Sequence, residues 1–212
     1  MRLSVGTRRQ PNSAPRRLHR DLLAPNLSCF NFLRSTCFSN SFMPTSSKST
    51  RARQRDAVSL LRAEHQEVRE WFEQFKNATD ELRQSRLARN ICDALRLHTA
   101  IEEQIFYPAF FEATEEKAIH QEVEVEHHAV KELIAEIEQS TPSDDYFRAK
   151  VNVLGEMIKH HVKEEEKSGG MFAKAKKAKM DLVALGRELA ERKSELESKQ
   201  KESRLIAMRE AL

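Results

Sequence analysis

From Asp56 onward, apolar residues recur every three or four positions, which predicts helices at about 56–77, 83–111, 114–139 and 144–166. The breaks fall at Asn77-Ala78-Thr79-Asp80, around Pro108 to Thr114, and at Ser140-Thr141-Pro142-Ser143-Asp144, where Ser or Asp supplies an N-cap. Gly169-Gly170 closes the fourth helix. Long helices with short connections make antiparallel neighbours, so the expected fold is all-α, an up-down-up-down four-helix bundle over 56–172. Residues 173–212 form a lysine-rich C-terminal extension, with a fifth helix from about Asp181 to Ser198. Its weak stripe, Leu182, Leu185 and Leu189, can dock on the bundle or pair between chains.

The core stripe of each bundle helix follows from the same spacing. It is Val58, Leu61, His65, Val68, Phe72, Phe75 on the first and Ile91, Leu95, His98, Glu102, Ile105 on the second. The third reads Ile119, Val123, His127, Val130, Ile134, Ile137, and the fourth Phe147, Val151, Leu154, Ile158, His161, Glu165. Every stripe is interrupted by one histidine, and on the second and fourth a Glu follows one turn later on the same face. A lone His on an apolar stripe is ordinarily a hydrogen-bonded core residue, and a single H-x-x-x-E occurs often by chance. Four imidazoles and two carboxylates aimed into one core are another matter. Each would carry a desolvation cost that a bound cation offsets. Imidazole suits iron, zinc or copper, while carboxylates favour the harder iron or manganese and can bridge two ions. The expected ligands are therefore His65, His98, Glu102, His127, His161 and Glu165. His128 and His160 sit beside ligands but point about 100° away, and His120, two turns before His127, is placed for a supporting role.

Composition changes the picture at the N-terminus. Residues 1–55 carry ten Arg and one Lys against a single acid, Asp21, whereas the rest has 25 basic and 32 acidic side chains. The net charge of +3 therefore hides an acidic bundle, which argues against a nucleic-acid partner. Three readings of 1–55 stand side by side: a mitochondrial-type transit peptide, a disordered basic arm, or translation from Met43. The first places the protein in mitochondria; otherwise the cytoplasm is expected. Three cysteines without C-x-x-C fit a reducing compartment, and Cys92 reads as a small buried apolar residue. No apolar run is long enough to span a membrane.

Four segments, Ala63-Glu64-His65, His98-Thr99-Ala100-Ile101-Glu102-Glu103 followed by Phe106-Tyr107-Pro108, Val125-Glu126-His127-His128, and His160-His161-Val162-Lys163-Glu164-Glu165-Glu166, resemble the helix signatures of the hemerythrin-like, HHE cation-binding family. The resemblance covers about residues 56–180. It implies two non-haem iron ions, carboxylate- or oxo-bridged, on the same six residues. The chain departs from the oxygen-carrying members, which place two His four apart on the third helix; here Val123 stands four before His127. Their last helix pairs His with Asp five residues on, where this chain has Glu165 four after His161. One nitrogen ligand is thus missing, and Glu124, three before His127, is the candidate to fill the gap. A ferritin-like centre needs Glu-x-x-His on two helices, and only Glu124-Val125-Glu126-His127 provides it.

The function expected is uptake of O2, NO or peroxide at a di-iron site, for sensing, scavenging or iron handling. Turnover of peroxide or NO at the same irons is the enzymatic alternative. A structural or interaction bundle with zinc or no metal is the third reading.

Overall fold

The computed structural model describes residues 55–210. The expectations for the N-terminal segment fall almost wholly outside the described residues. The described chain forms seven helices: α1 (Ala57–Asn77), α2 (Glu81–Ile101), α3 (Tyr107–Thr114), α4 (Lys117–Glu138), α5 (Phe147–Glu166), α6 (Met171–Lys177) and α7 (Leu182–Glu210). Among the described residues the fold is an all-helical bundle. Helix α1 packs on α2 and α5, and α4 on the same two, which closes a square of four.

The helix starts have local causes. Asp56 accepts a hydrogen bond from the Ser59 N–H at 2.8 Å, and Asp80 from the Arg83 N–H at 2.7 Å, so α1 and α2 are both side-chain capped. Asp144 instead accepts from the Thr141 N–H at 2.6 Å. It closes the preceding turn rather than capping a helix, and α5 begins only at Phe147.

The largest departure from regular periodicity lies between α2 and α3. Residues Glu102–Phe106 form one π-helical turn, in which the Tyr107 N–H reaches back to the Glu102 carbonyl. Pro108 has no N–H to give, and its ring would press on the carbonyl four residues earlier; a wider turn ahead of it relieves both problems. The helix therefore runs on through Pro108 to Thr114, and Glu115, at φ 56°, ends it. The extra residue rotates the helix beyond it. Phe106 and Tyr107 become buried, and Ile105, expected on the core stripe, is only half-buried. Ile119, at the start of α4, is half-buried as well.

After α5 the chain turns sharply. Gly169 has φ +79°, and a Cβ on Gly170 would lie 2.4 Å from the Glu164 carbonyl oxygen. This tight reversal starts α6, a helix absent from the sequence expectation, and buries Met171, Phe172 and Ala175. Helix α7 is longer than expected and folds back along α1 and α2. Leu189 is fully buried, with Leu182 and Leu185 packed beside it. Gly186 allows the approach, because a Cβ there would come within 2.4 Å of the Arg55 carbonyl oxygen. No described helix is long and apolar enough to cross a membrane.

Candidate metal centre

The apolar core divides into two clusters. One contains Val68, Leu95, Val130, Ile158 and Val162, and the other Leu61, Ile101, Phe106, Val123 and Phe172. His65, His98, Glu102, His127, His161 and Glu165 occupy the level between them, each 5% exposed or less. All six thus meet in one buried polar layer, at the interruptions that the stripes carry.

Each imidazole is oriented from outside by a carboxylate. The Nδ1 atoms of His65, His98, His127 and His161 lie 2.8, 2.7, 3.0 and 2.9 Å from Glu166, Glu64, Glu103 and Glu126. An ionised carboxylate only accepts, so Nδ1 carries the proton in all four and Nε2 is turned inward. The inward atoms converge. His98 Nε2 is 3.3 Å from Glu102 Oε1, while His127 and His161 Nε2 are 3.6 and 4.0 Å from Glu102 Oε2. Glu165 Oε2 lies between His65 and His161, at 3.4 and 3.7 Å. Two triads of donor atoms result, His65/His98/Glu102 and Glu102/His127/His161, the atoms of each lying within 4.8 Å of one another.

Charge is unevenly held in this layer. Burial alone would raise Glu102, but the imidazoles of His98, His161 and His127 outweigh it and hold the carboxyl well below the usual range. Burial and then the charge of Glu102 push Glu165 up. His65 is pushed down to about 4 by burial and by neighbouring His98. His98 is raised, because Glu102 and Glu64 together overcome its burial. The Nε2 atoms of His65 and His98 lie 3.0 Å apart, facing each other within the layer. Three buried atoms have no hydrogen-bond partner among the described residues: Glu102 Oε1, His161 Nε2 and Glu165 Oε2. All three are lone-pair donors facing the interior of the layer. Cations in the two triads would satisfy them, so the donor set fits a metal.

Glu124 does not enter the layer. Its side chain is 65% exposed and lies 3.7 Å from His120, on the outer face of α4. The same contact, with the Phe111 ring 5.2 Å away, removes His120 from any supporting role at the centre. Three residues before a ligand is a neighbouring but distinct direction on a helix, and here that direction is solvent. His160 is largely exposed, and its one contact near the site is Glu126 at 3.7 Å.

Sequence reasoning assigned no role to Tyr107. Its hydroxyl is buried 3.0 Å from Glu102 Oε2, 3.1 Å from Glu165 Oε1 and 3.2 Å from His127 Nε2. Nor did it find the four outer carboxylates, or Phe172, whose ring stacks on His65 with centroids 5.9 Å apart. One signal was present for the carboxylates: each is the immediate chain neighbour of an inward-facing residue, in Glu64-His65, Glu102-Glu103, Glu126-His127 and Glu165-Glu166.

The profile of the hemerythrin HHE cation binding domain matches residues 56–173. The crystal structure of a hemerythrin HHE cation binding domain-containing protein from Mycobacterium kansasii is similar with a TM-score of 0.57, at 23% identity over 68% of this chain and 89% of that one. Among curated proteins none matches. The matched segment runs from the N-cap of α1 into α6 and contains every residue of the polar layer, and the chain therefore belongs to the hemerythrin HHE cation-binding domain family.

Proposed function

We propose that the polar layer holds two iron ions on His65, His98, Glu102, His127, His161 and Glu165, and that the centre takes up O2, NO or peroxide. The observation that carries this reading is the pair of donor triads sharing Glu102, whose two oxygens face different histidines. Mixed imidazole and carboxylate donors suit iron, and bundle cores are a usual setting for paired carboxylate-ligated ions. Bound iron supplies a Lewis-acidic, redox-active centre for small electron-rich molecules.

The residues around the layer favour a very small ligand. The cavity against His65, His98, His127 and His161 measures about 10 Å³, near the space of one water, and is walled by Val68, Leu95, Val130, Ile158 and Val162. A space of that size leaves no room for an organic substrate. A second cavity of about 190 Å³ between α1 and α5 shares the lining residues His65, Ile158 and Val162 with the first and is bordered by Phe72 and Gly155. Tyr107 places its hydroxyl between the two inner carboxylates, 3.0 Å from Glu102 and 3.1 Å from Glu165, and can donate to either.

Metal analysis of the protein from iron-replete cells, with the visible spectrum before and after reduction, tests the reading. About two irons per chain and an absorption band that changes on reduction are expected. His161→Ala should remove most of the iron and His160→Ala little, because only His161 is buried in the layer. Equal iron loss in the two variants would overturn the ligand set. Zinc instead of iron would turn the reading toward a structural bundle.

A further inference from the structure

The four outer carboxylates are not equivalent. Glu64 has a side chain only 10% exposed, against 28, 35 and 30% for Glu166, Glu103 and Glu126. Its Oε2 accepts from His98 Nδ1 at 2.7 Å, and its Oε1 accepts from Lys193 Nζ at 2.8 Å. Lys193 belongs to α7, which begins nine residues after the matched domain ends at 173. A groove of about 540 Å³, lined by Glu67, Glu70, Ser194 and Glu197 among others, separates α1 from α7, and the lysine crosses it to reach Glu64. Helix α7 is fixed at other points, by Leu189 in the core, by Arg192 to Gln104 at 2.8 Å, and by Gln200 and Arg204 to Asp93.

We propose that Lys193 is a positioning residue for the metal centre: through Glu64 it fixes the His98 imidazole, so that docking of the C-terminal helix and loading of the metal reinforce each other. This rests on the reading of His98 as a ligand. A carboxylate that shares its two oxygens between an ammonium and an imidazole is held at both ends, and the ring it orients loses its freedom to rotate. With Lys193 withdrawn, Glu64 is free to swing toward solvent in the groove and His98 Nδ1 loses its acceptor. Coupling is reciprocal, so whatever factor α7 contributes to metal affinity, the metal returns to α7 docking.

The test uses the full chain and Fe(II) under anaerobic conditions, titrated against a competing chelator. Loss of an outer partner of a metal-bound histidine ordinarily costs 10–100-fold in affinity. Lys193→Met acts one bond further out, and about tenfold weaker Fe(II) binding is expected, with Lys193→Arg restoring most of it. Arg204→Ala frees only the distal end of α7 at Asp93, beyond the Leu189 and Arg192 contacts that keep Lys193 on Glu64, and should leave Fe(II) affinity unchanged. In the wild-type chain, Fe(II) should slow amide hydrogen exchange in α7 around residues 189–196, a readout that needs no variant to fold. Unchanged affinity in Lys193→Met, an equal loss in Arg204→Ala, or no metal-dependent protection of α7 would each overturn the proposal. His98→Ala separates the two levels: if it keeps its iron, the ligand assignment itself falls.

Discussion

Replacing Tyr107 by Phe removes one oxygen from the most crowded polar point of the bundle. The residue is 4% exposed, and its hydroxyl lies within 3.2 Å of Glu102, Glu165 and His127. The ring itself packs on Phe106 and His127, at centroid distances of 6.1 and 5.4 Å, and Phe preserves both contacts. The cost is then almost wholly electrostatic. A hydroxyl has one hydrogen to give, so a single hydrogen bond to a charged carboxylate is lost, worth about 1.5–3 kcal/mol when the acceptor stays buried. In a chain of this size 1 kcal/mol moves Tm by roughly 2–4 °C, so the cation-free variant should melt roughly 3–12 °C lower. Bound cations satisfy Glu102 and Glu165 directly, and in the loaded protein the loss should fall below about 1 kcal/mol. Calorimetry or urea unfolding of the chelated and iron-loaded forms measures both numbers. A cation-free loss under about 0.5 kcal/mol would show that the hydroxyl carries no such bond. Equal losses in the two forms would show that the metal does not take over the two carboxylates.

Phe172→Ala empties a 1%-exposed position that stacks on His65 and meets Phe106 edge-on at 5.7 Å. It should destabilise the bundle by about 3–5 kcal/mol and speed release of iron to a chelator; a loss under about 1 kcal/mol by urea unfolding would refute the packing argument. Cys92 is pushed up to about 12, first by burial and then by nearby Glu138 and Asp93. The folded thiol therefore stays protonated while an unfolded one ionises from about pH 9, and the stability this difference contributes is present below pH 9 and lost as pH rises toward 12. At pH 9 iodoacetamide should spare Cys92 in the native chain and label it in urea, as read by peptide mapping; equal labelling in both would place the thiol outside the core.

The sequence carried the bundle and the six inward residues for a common reason. A helix of constant pitch keeps one face inward, and a polar residue on that face has to be explained by something in the core. His65, His98, His127 and His161 stand out on that logic alone. The same logic fails wherever the pitch changes. Beyond Glu102 the π-turn adds a residue, so Ile105 turns partly outward and Phe106 and Tyr107 take the interior. Pro108 gave the only warning, and it reads equally well as a helix end. Glu124 failed for a different reason: it was placed by its distance in sequence from His127, while the interior near that histidine is occupied by the Tyr107 hydroxyl arriving from another segment. Phe172 lies beyond a glycine pair that looks like a terminus, and only the tight backbone at Gly170 brings it under His65.

The outer carboxylates add a constraint that no single helix displays. Helix α1 offers Glu64 to His98 of α2, and the π-turn that continues α2 offers Glu103 to His127 of α4. Helix α4 then offers Glu126 to His161 of α5, and α5 returns Glu166 to His65 of α1. The circuit closes around the bundle, so every imidazole is aimed by the adjacent helix rather than by its own. The polar layer interrupts the apolar core, yet it ties the four helices at the level where hydrophobic contact is weakest. Its charge also bears on the number of ions. Ligating imidazoles are neutral, and the two inner and four outer carboxylates carry −6; Lys131, 2.7 Å from Glu103, and Lys193 return +2. Two divalent cations, as proposed above, would neutralise the remaining −4, whereas one would leave −2, shared with outer carboxylates that are 28 to 35% exposed. Glu102 and Glu165 are the fully buried pair, and an uncompensated buried carboxylate costs several kcal/mol, which supports the proposal of an ion in each donor triad.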